Sequence, residues 1–284
     1  MKREFPVNPE LEKGYNIRLL RDDMPQVMED WTARSREFRA NADMHLDCAY
    51  DQGPRDKIDL FRCSEKDAPL LVFIHGGYWQ RGDKSVFSFI AEPFVERGVD
   101  VALIGYQLCP ETDMTSMVGQ IRKAISRLWR NATQLGVSRD RINLCGHSAG
   151  GHLTTMMLIT EWPQFTDDLP LNLLKTAIPM SGLYQLEPLL HTTINDALGM
   201  DAAIANSISP YFLKPPTNAP VLVTIGGDES PQLHWQTDQF VERWSQFSAP
   251  IEMHIEPDVD HFDLANRLAS ADSEIFKKVH AWLR

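Results

Sequence analysis

Short apolar runs alternate with helix-period segments along most of the chain. The runs are LLVFI, VDVALIGY, RINLC, TAIPM, VLVTIGG and IEMHIEP. The intervening segments place apolar residues at helical spacing, as in MVGQIRKAISRLWRNATQLG and in the closing segment through Ile275, Phe276, Val279 and Trp282. Such alternation is typical of parallel strands that are buried on both faces and joined by right-handed crossovers. The pattern predicts an α/β fold with a mainly parallel sheet of about eight strands and helices on both faces.

The first sixty residues have a different pattern. Met24, Met28 and Trp31 are spaced as on a helix, and the runs MHLDCAY and KIDLFRC then flank the turn DQGPRD, which predicts an antiparallel hairpin. The Pro-rich patches EWPQFTDDLP and LKPPTNAP are too short to link domains. We therefore expect one domain over residues 1–284, with little or no cap between the strands.

Composition and charge narrow the classes of function. The chain has 284 residues, of which 43% are apolar and 24% charged, as in ordinary globular proteins. A net charge of −11 argues against nucleic-acid or anionic-membrane partners, which would be repelled. The N-terminus lacks an apolar stretch that could serve as a signal peptide, so the expected location is the cytoplasm.

One motif indicates a nucleophile. In RINLCGHSAGGHL, Gly146, Ser148 and Gly150 match the pattern G-x-S-x-G, which is weak evidence by itself. Here, however, a predicted strand leads into the motif and a predicted helix leads out. This is the strand–turn–helix elbow that exposes a strained serine, and its tight turn leaves no room for side chains at the two glycines. The competing interpretation is a glycine-rich turn with an incidental serine.

A serine nucleophile needs a base and a carboxylate that orients the base. In α/β folds of this type they follow the serine in the order acid, then histidine. His261 lies in EPDVDHFDL, between the last strand and the last helix, which makes it the best-placed histidine. The preceding strand ends in VLVTIGGDESPQ, where Asp228 and Glu229 are both available as the acid. Strand periodicity does not choose between them.

The segment HGGYW follows the LLVFI strand and suits an oxyanion hole. Backbone N–H groups must approach the developing oxyanion closely, which explains Gly76 and Gly77. We expect donors from these glycines and Tyr78, together with Ala149 directly after the serine. Tyr78 and Trp79 are expected to form an aromatic wall that binds the substrate.

The assembled motifs resemble the α/β-hydrolase superfamily and, within it, the kynurenine formamidase (arylformamidase) group. The similar segments are HGGYWQ at 75–80, GHSAGGHL at 146–153, ESPQLHWQT at 229–237, DVDHF at 258–262, and Tyr15–Asn16 near the N-terminus. HGG and G-x-S-x-G occur in many esterases, whereas the Tyr-Trp-Gln continuation and the acid-Ser-Pro segment are more specific. In this family the catalytic acid, usually Asp, stands directly before Ser-Pro. The resemblance therefore favours Glu229, with Asp228 as the alternative acid.

The resemblance implies hydrolysis of N-formylkynurenine to kynurenine and formate through an acyl-enzyme. It implies no metal and no organic cofactor. The expected partner is a small aryl amide or ester, and a homodimer is left open. The alternatives are a broad-range carboxylesterase acting on aryl or short-chain esters or carbamates, and a non-catalytic ligand-binding protein with the same fold.

Overall fold

A computed structural model describes residues 4–284 and contains one eight-stranded sheet in the order β1-β2-β4-β3-β5-β6-β7-β8. The strands are β1 Met44–Ala49, β2 Lys57–Phe61, β3 Leu70–Ile74, β4 Asp100–Ile104, β5 Ile142–His147, β6 Leu174–Met180, β7 Val221–Gly226 and β8 Ile251–Glu256. Strand β2 pairs antiparallel with β1 and β4, and the pairs from β4 onwards are parallel. The predicted α/β-hydrolase fold, with its N-terminal antiparallel hairpin, is confirmed.

Helices cover both faces of this sheet. They are α1 Pro9–Tyr15, α2 Met24–Asn41, α3 Ala91–Val95, α4 Met114–Arg130, α5 Ala132–Leu135, α6 Ala149–Leu158, α7 Trp162–Phe165, α8 Asn195–Leu198, α9 Ala202–Ser207, α10 Pro231–Trp244, α11 Asp263–Leu268 and α12 Glu274–Trp282. Short 3-10 helices span Ile17–Leu20, Lys84–Ile90, Glu187–His191 and Pro210–Phe212. The segment through Phe87 and Phe94, between β3 and β4, is a 3-10 turn that continues into the short helix α3.

Two apolar layers hold the helices against the sheet. All five side chains of β3 are buried, and they alternate between the layers because successive residues of a strand point to opposite faces. Leu70, Val72 and Ile74 pack with α4, α6 and α10. Leu71 and Phe73 pack with α2, α3, α11 and α12. Because both faces are covered, β3 is a continuous apolar run instead of an alternating one.

The carboxyl ends of the parallel strands bring together the loops that carry the candidate site. β3 lies between β4 and β5, so the HGGYW loop after β3 is next to the G-x-S-x-G turn after β5. The loops after β7 and β8 carry the acidic pair and His261. This edge of an open α/β sheet is where such proteins bind ligands. Within residues 4–284, no helix combines the length and the apolar character needed to cross a membrane.

Candidate active site

Ser148 occupies a strained turn between β5 and α6. Its backbone has φ 60° and ψ −119°, a conformation that non-glycine residues rarely adopt. Tight packing imposes this turn: a Cβ on Gly150 would lie 1.9 Å from the carbonyl oxygen of Ile74, and one on Gly146 would lie 2.2 Å from that of Gly150. The two glycines of the motif are therefore required because backbone passes directly against them.

The loop after β3 lies on this turn. A Cβ on Gly76 would lie 2.8 Å from the His147 carbonyl oxygen and 3.0 Å from Ser148 Cβ. Gly77 has φ 118° and Tyr78 has φ 51°, so the chain turns sharply beside the serine. Among the described residues, no acceptor takes the backbone N–H groups of Gly77, Tyr78 or Ala149. These donors are available to an oxyanion, as the sequence leads one to expect.

His75 supports the loop from the core. Its Nδ1–H donates to the Gly76 carbonyl oxygen at 2.8 Å, and its ring stacks on Tyr106 with centroids 4.3 Å apart. The Tyr106 hydroxyl in turn donates to the His75 carbonyl oxygen at 2.7 Å. Burial lowers the pKa of His75 to about 4, so the ring is neutral at pH 7. His75 thus holds the oxyanion loop in place without adding charge.

The histidine and its carboxylate partner form a direct pair. His261 Nδ1–H donates to Glu229 Oε2 at 2.7 Å, and both side chains are buried. This bond leaves His261 Nε2 as the proton acceptor, the arrangement a general base requires. Asp228 does not take part: its side chain is exposed, while its backbone N–H donates to the Val259 carbonyl oxygen at 3.0 Å. The structure therefore pairs His261 with Glu229 and turns Asp228 to solvent.

Glu229 is held by two further donors. Its Oε1 accepts hydrogen bonds from the Ser181 hydroxyl and, at 2.9 Å, from the Gly226 N–H. Burial alone would raise the pKa of the Glu229 carboxyl, but the charge and hydrogen bond of His261, with these two donors, outweigh it and lower the pKa. The carboxylate is therefore ionised at neutral pH. No motif surrounds Ser181, which follows β6, so its contact with Glu229 is not predictable from the sequence.

His147 is a second residue that motif reasoning left outside the site. Its Nε2–H donates to the His261 carbonyl oxygen at 2.8 Å, and the centroids of the two rings lie 4.5 Å apart. Burial and then the charge of nearby His261 lower the pKa of His147 to about 3. An imidazole with so low a pKa is a weak base and is poorly suited to accept a proton at neutral pH. Instead it anchors the loop that carries His261.

An apolar pocket opens beside these groups. Ser148 and His261 both line it, together with Gly76, Gly77 and Tyr78. The N-terminal segment closes one side and contributes Ile17, Arg18, Met24, Met28 and Trp31. Phe87 and Phe262 add aromatic surface. The site is therefore completed by a part of the chain about 120 residues or more before Ser148, which strand and helix periodicity cannot reveal.

The N-terminal segment is tied to both catalytic loops. The Tyr78 hydroxyl donates to the Tyr15 carbonyl oxygen, which joins the segment to the oxyanion loop. The Ser230 hydroxyl donates to the Gly14 carbonyl oxygen at 2.7 Å, which joins it to the loop of the acid. Gln236 of α10 donates to the Tyr15 hydroxyl at 2.9 Å. These bonds hold the pocket wall in a fixed position relative to Ser148.

The expectation for Trp79 needs correction. Its side chain is fully buried and packs edge-on against His152, with ring centroids 5.2 Å apart, so it does not line the pocket. The reason is the backbone: Tyr78 and Trp79 both have positive φ, and the turn sends their side chains in different directions. Tyr78 lines the pocket, and Trp79 belongs to the core beneath it.

Replacing Ser181 by Ala is expected to lower kcat about tenfold with little change in KM, because a hydrogen bond to a charged group is lost next to His261. Steady-state kinetics measure both constants. Ser209→Ala is the matched control, since Ser209 is also buried but bonds Leu186 N–H and the Ala205 carbonyl oxygen instead. It should lower stability without changing kcat. A Ser181→Ala enzyme with an unchanged kcat would show that this hydroxyl does not position the acid.

A mainly parallel sheet with a serine elbow after β5 and a carboxylate–histidine pair after β7 and β8 defines an α/β hydrolase. A family model described as BD-FAE matches residues 58–178. Kynurenine formamidase of Salmo salar is 30% identical over 254 residues, 87% of this chain and 83% of the salmon protein. Kynurenine formamidase of Danio rerio is 30% identical over 230 residues, 78% of this chain and 76% of the zebrafish protein. The chain therefore belongs to the α/β-hydrolase family that includes these kynurenine formamidases.

Solved structures agree with this assignment. A thioesterase candidate from Silicibacter sp. TM1040 superposes with a TM-score of 0.83 at 31% identity, covering 95% of this chain and 98% of that one. Esterase B from Lactobacillus rhamnosis, in its C6-C4 SN3 inhibited form, has a TM-score of 0.71 at 17% identity over 92% of this chain and 94% of its own. At that identity the second likeness concerns the fold alone.

Proposed function

We propose that the chain is a serine hydrolase that cleaves the formyl amide of N-formylkynurenine, or of a similar aryl formamide or ester, through an acyl-enzyme. The observation that carries this proposal is the buried Glu229–His261 pair, whose histidine lines the same pocket as strained Ser148 and the oxyanion loop. The relatives named kynurenine formamidase, matched over most of the chain, support the choice of substrate.

The geometry suits the two steps of acyl transfer. In the first step, Ser148 Oγ attacks the formyl carbon while His261 Nε2 removes its proton, and the oxyanion accepts hydrogen bonds from backbone N–H groups such as those of Tyr78 and Ala149. His261 then gives the proton to the aniline nitrogen, which leaves. In the second step, water deprotonated by His261 attacks the formyl ester, and His261 returns the proton to Ser148 Oγ as the ester bond breaks and formate leaves. Glu229 stabilises the imidazolium in both steps.

The pocket walls suit a flat aryl leaving group. Trp31, Phe87 and Phe262 offer aromatic faces and edges, and Met24 and Met28 offer polarizable sulfur atoms. The Trp31 ring is held in place because its Nε1–H donates to Asn266 Oδ1 at 2.8 Å. An aniline ring can pack among these groups while its acyl carbon lies at Ser148. A fixed aromatic wall favours aryl over alkyl leaving groups.

A carboxylesterase of broader range is the second candidate. It uses the same groups around Ser148, and the Silicibacter structure, at 31% identity, bears the name of an enzyme that cleaves thioesters. An apolar pocket also suits short esters. The two candidates differ in whether the amide is cleaved better than an activated ester.

The test compares kinetics on N-formylkynurenine with those on p-nitrophenyl acetate. We expect kcat/KM for N-formylkynurenine to exceed that for p-nitrophenyl acetate by about tenfold or more. The ester is chemically more reactive, but the ratio of the two kcat/KM values is set by how tightly the enzyme binds each transition state. The opposite order would favour the carboxylesterase. A fluorophosphonate probe that fails to label Ser148 would contradict both enzymes and indicate a binding protein.

A further inference from the structure

Two arginines at the mouth of the pocket stand out because none of residues 4–284 pairs with their guanidinium groups. Arg18 and Arg81 both line the pocket, and within the described residues no acidic side chain lines it with them. Neither guanidinium has a hydrogen-bond or ion-pair partner among residues 4–284. Arg21 provides the contrast: three residues after Arg18, it contacts Asp23, Asp260 and Asp263 at 2.6, 2.9 and 3.1 Å. In a chain of net charge −11 carboxylates are plentiful, yet none of the described ones lines this pocket.

The positions of the two arginines are set by the catalytic loops. The Arg81 N–H donates to the Gly77 carbonyl oxygen at 3.1 Å, and a Cβ on Gly77 would lie 3.3 Å from Arg81 Cγ. The Arg81 side chain therefore starts directly over the oxyanion loop. Arg18 follows Ile17 in the 3-10 helix Ile17–Leu20, on the N-terminal wall of the same pocket, and is half-buried. The two guanidinium groups thus stand on two walls of one opening.

The two guanidinium groups repel each other across this opening. Burial and then the positive charge of Arg81 lower the pKa of Arg18, and the other titratable group acting on it is Tyr78. No carboxylate offsets this repulsion at Arg18. An anion between the two guanidinium groups would remove it, and the planar fork of arginine matches a carboxylate in a bidentate manner.

We propose that Arg18 and Arg81 form an anion subsite at the pocket mouth, so that the preferred substrates carry a carboxylate on the leaving-group side of the bond that is cleaved. The inference rests on the proposed function for the direction of the substrate: a formyl group is too small to carry a charge, so the carboxylate must belong to the departing amine. N-formylkynurenine meets this requirement through its amino-acid carboxylate. Electrostatic attraction of this kind also accelerates the encounter with an anionic substrate.

The experiment uses two matched substrate pairs. One pair is 4-(2-formamidophenyl)-4-oxobutanoate, which is N-formylkynurenine without its ammonium group, and its neutral decarboxylated analogue 1-(2-formamidophenyl)propan-1-one. The other pair is 3-(3-acetoxyphenyl)propanoate and its neutral decarboxylated analogue 3-ethylphenyl acetate. Each pair keeps the reacting group and changes the carboxylate. The enzymes are the wild type, Arg18→Met, Arg81→Met, the double variant, and Arg18→Lys. Arg36→Met is the control, because Arg36 is an exposed arginine of α2 outside the pocket and its removal changes the net charge equally.

We expect KM for the carboxylate substrates to rise about tenfold in each single Met variant and about a hundredfold in the double variant, as for lost charge-assisted hydrogen bonds. KM for the neutral substrates should change less than about twofold, Arg18→Lys should recover part of the loss, and Arg36→Met should resemble the wild type. Raising the salt concentration should weaken the preference of the wild type for carboxylates.

Two outcomes would overturn the proposal: an unchanged KM for both carboxylate substrates in the double variant, or equal losses on the carboxylate and neutral substrates, which would indicate a packing role. The ester pair tests the anion subsite independently of the proposed formamidase activity. If the wild type cleaves both esters but not N-formylkynurenine, the formamidase activity is wrong, and the ester pair alone then decides whether the two arginines select a carboxylate.

Discussion

Ser148→Ala is expected to lower kcat by about 10⁶-fold, the loss typical of a removed triad nucleophile. The hydroxyl is the only atom removed, and it supplies the bond to the acyl group. The fold should persist, because no hydrogen bond of the Ser148 side chain supports the turn. Steady-state and discontinuous (quenched) assays on N-formylkynurenine measure the decrease in kcat, and circular dichroism checks the fold.

A second substitution separates chemistry from strain at the same position. Ser148→Gly removes the same hydroxyl and also relieves the positive φ of 60°. We expect it to be as inactive as Ser148→Ala but more stable than the wild type by about 1 kcal/mol in urea unfolding. Activity within about tenfold of the wild type in either variant would contradict the assignment of Ser148 as the nucleophile.

The sheet was predictable because its strands are buried on both faces. A run such as LLVFI at β3 has five buried side chains, so the apolar signal is continuous and the neighbouring helices are clearly separated. The connection from β6 to β7 was not predictable in this way. It contains the short helices α8 and α9 and two 3-10 turns, whose three to six residues are too few for a helical period to appear.

The candidate site was predictable where chemistry demands a local motif. Gly76, Gly150 and Ser148 are identified by their neighbours in sequence, since the turn excludes a Cβ at the glycines. Ser181 and His147 act through contacts with Glu229 and His261 that are 48 and 114 residues away in the chain. Such contacts leave no periodicity and no motif. They become visible only when the strand order brings the loops after β5, β6, β7 and β8 together.

The strand pattern does not show whether Asp228 or Glu229 contacts His261, whereas the structure does. Both residues follow β7, and a strand pattern allows either one to face His261. In the structure, the Asp228 N–H donates to Val259, and the turn buries the next side chain. The exposed fraction of the Glu229 side chain is 0%, and its longer reach spans from Ser181 to His261.

Glu229→Gln is therefore expected to lower kcat at least about a hundredfold, because an amide of the same shape cannot stabilise the imidazolium of His261. Asp228→Asn is the matched control: it makes the same chemical change one residue earlier on an exposed side chain and should lower kcat less than about tenfold. Glu229→Asp should also be impaired, since a shorter side chain cannot contact Ser181 and His261 together. Measuring kcat for the three variants on one substrate decides the matter. If Asp228→Asn loses more than Glu229→Gln, the role passes to Asp228, and if both stay near the wild-type value, neither carboxylate orients His261.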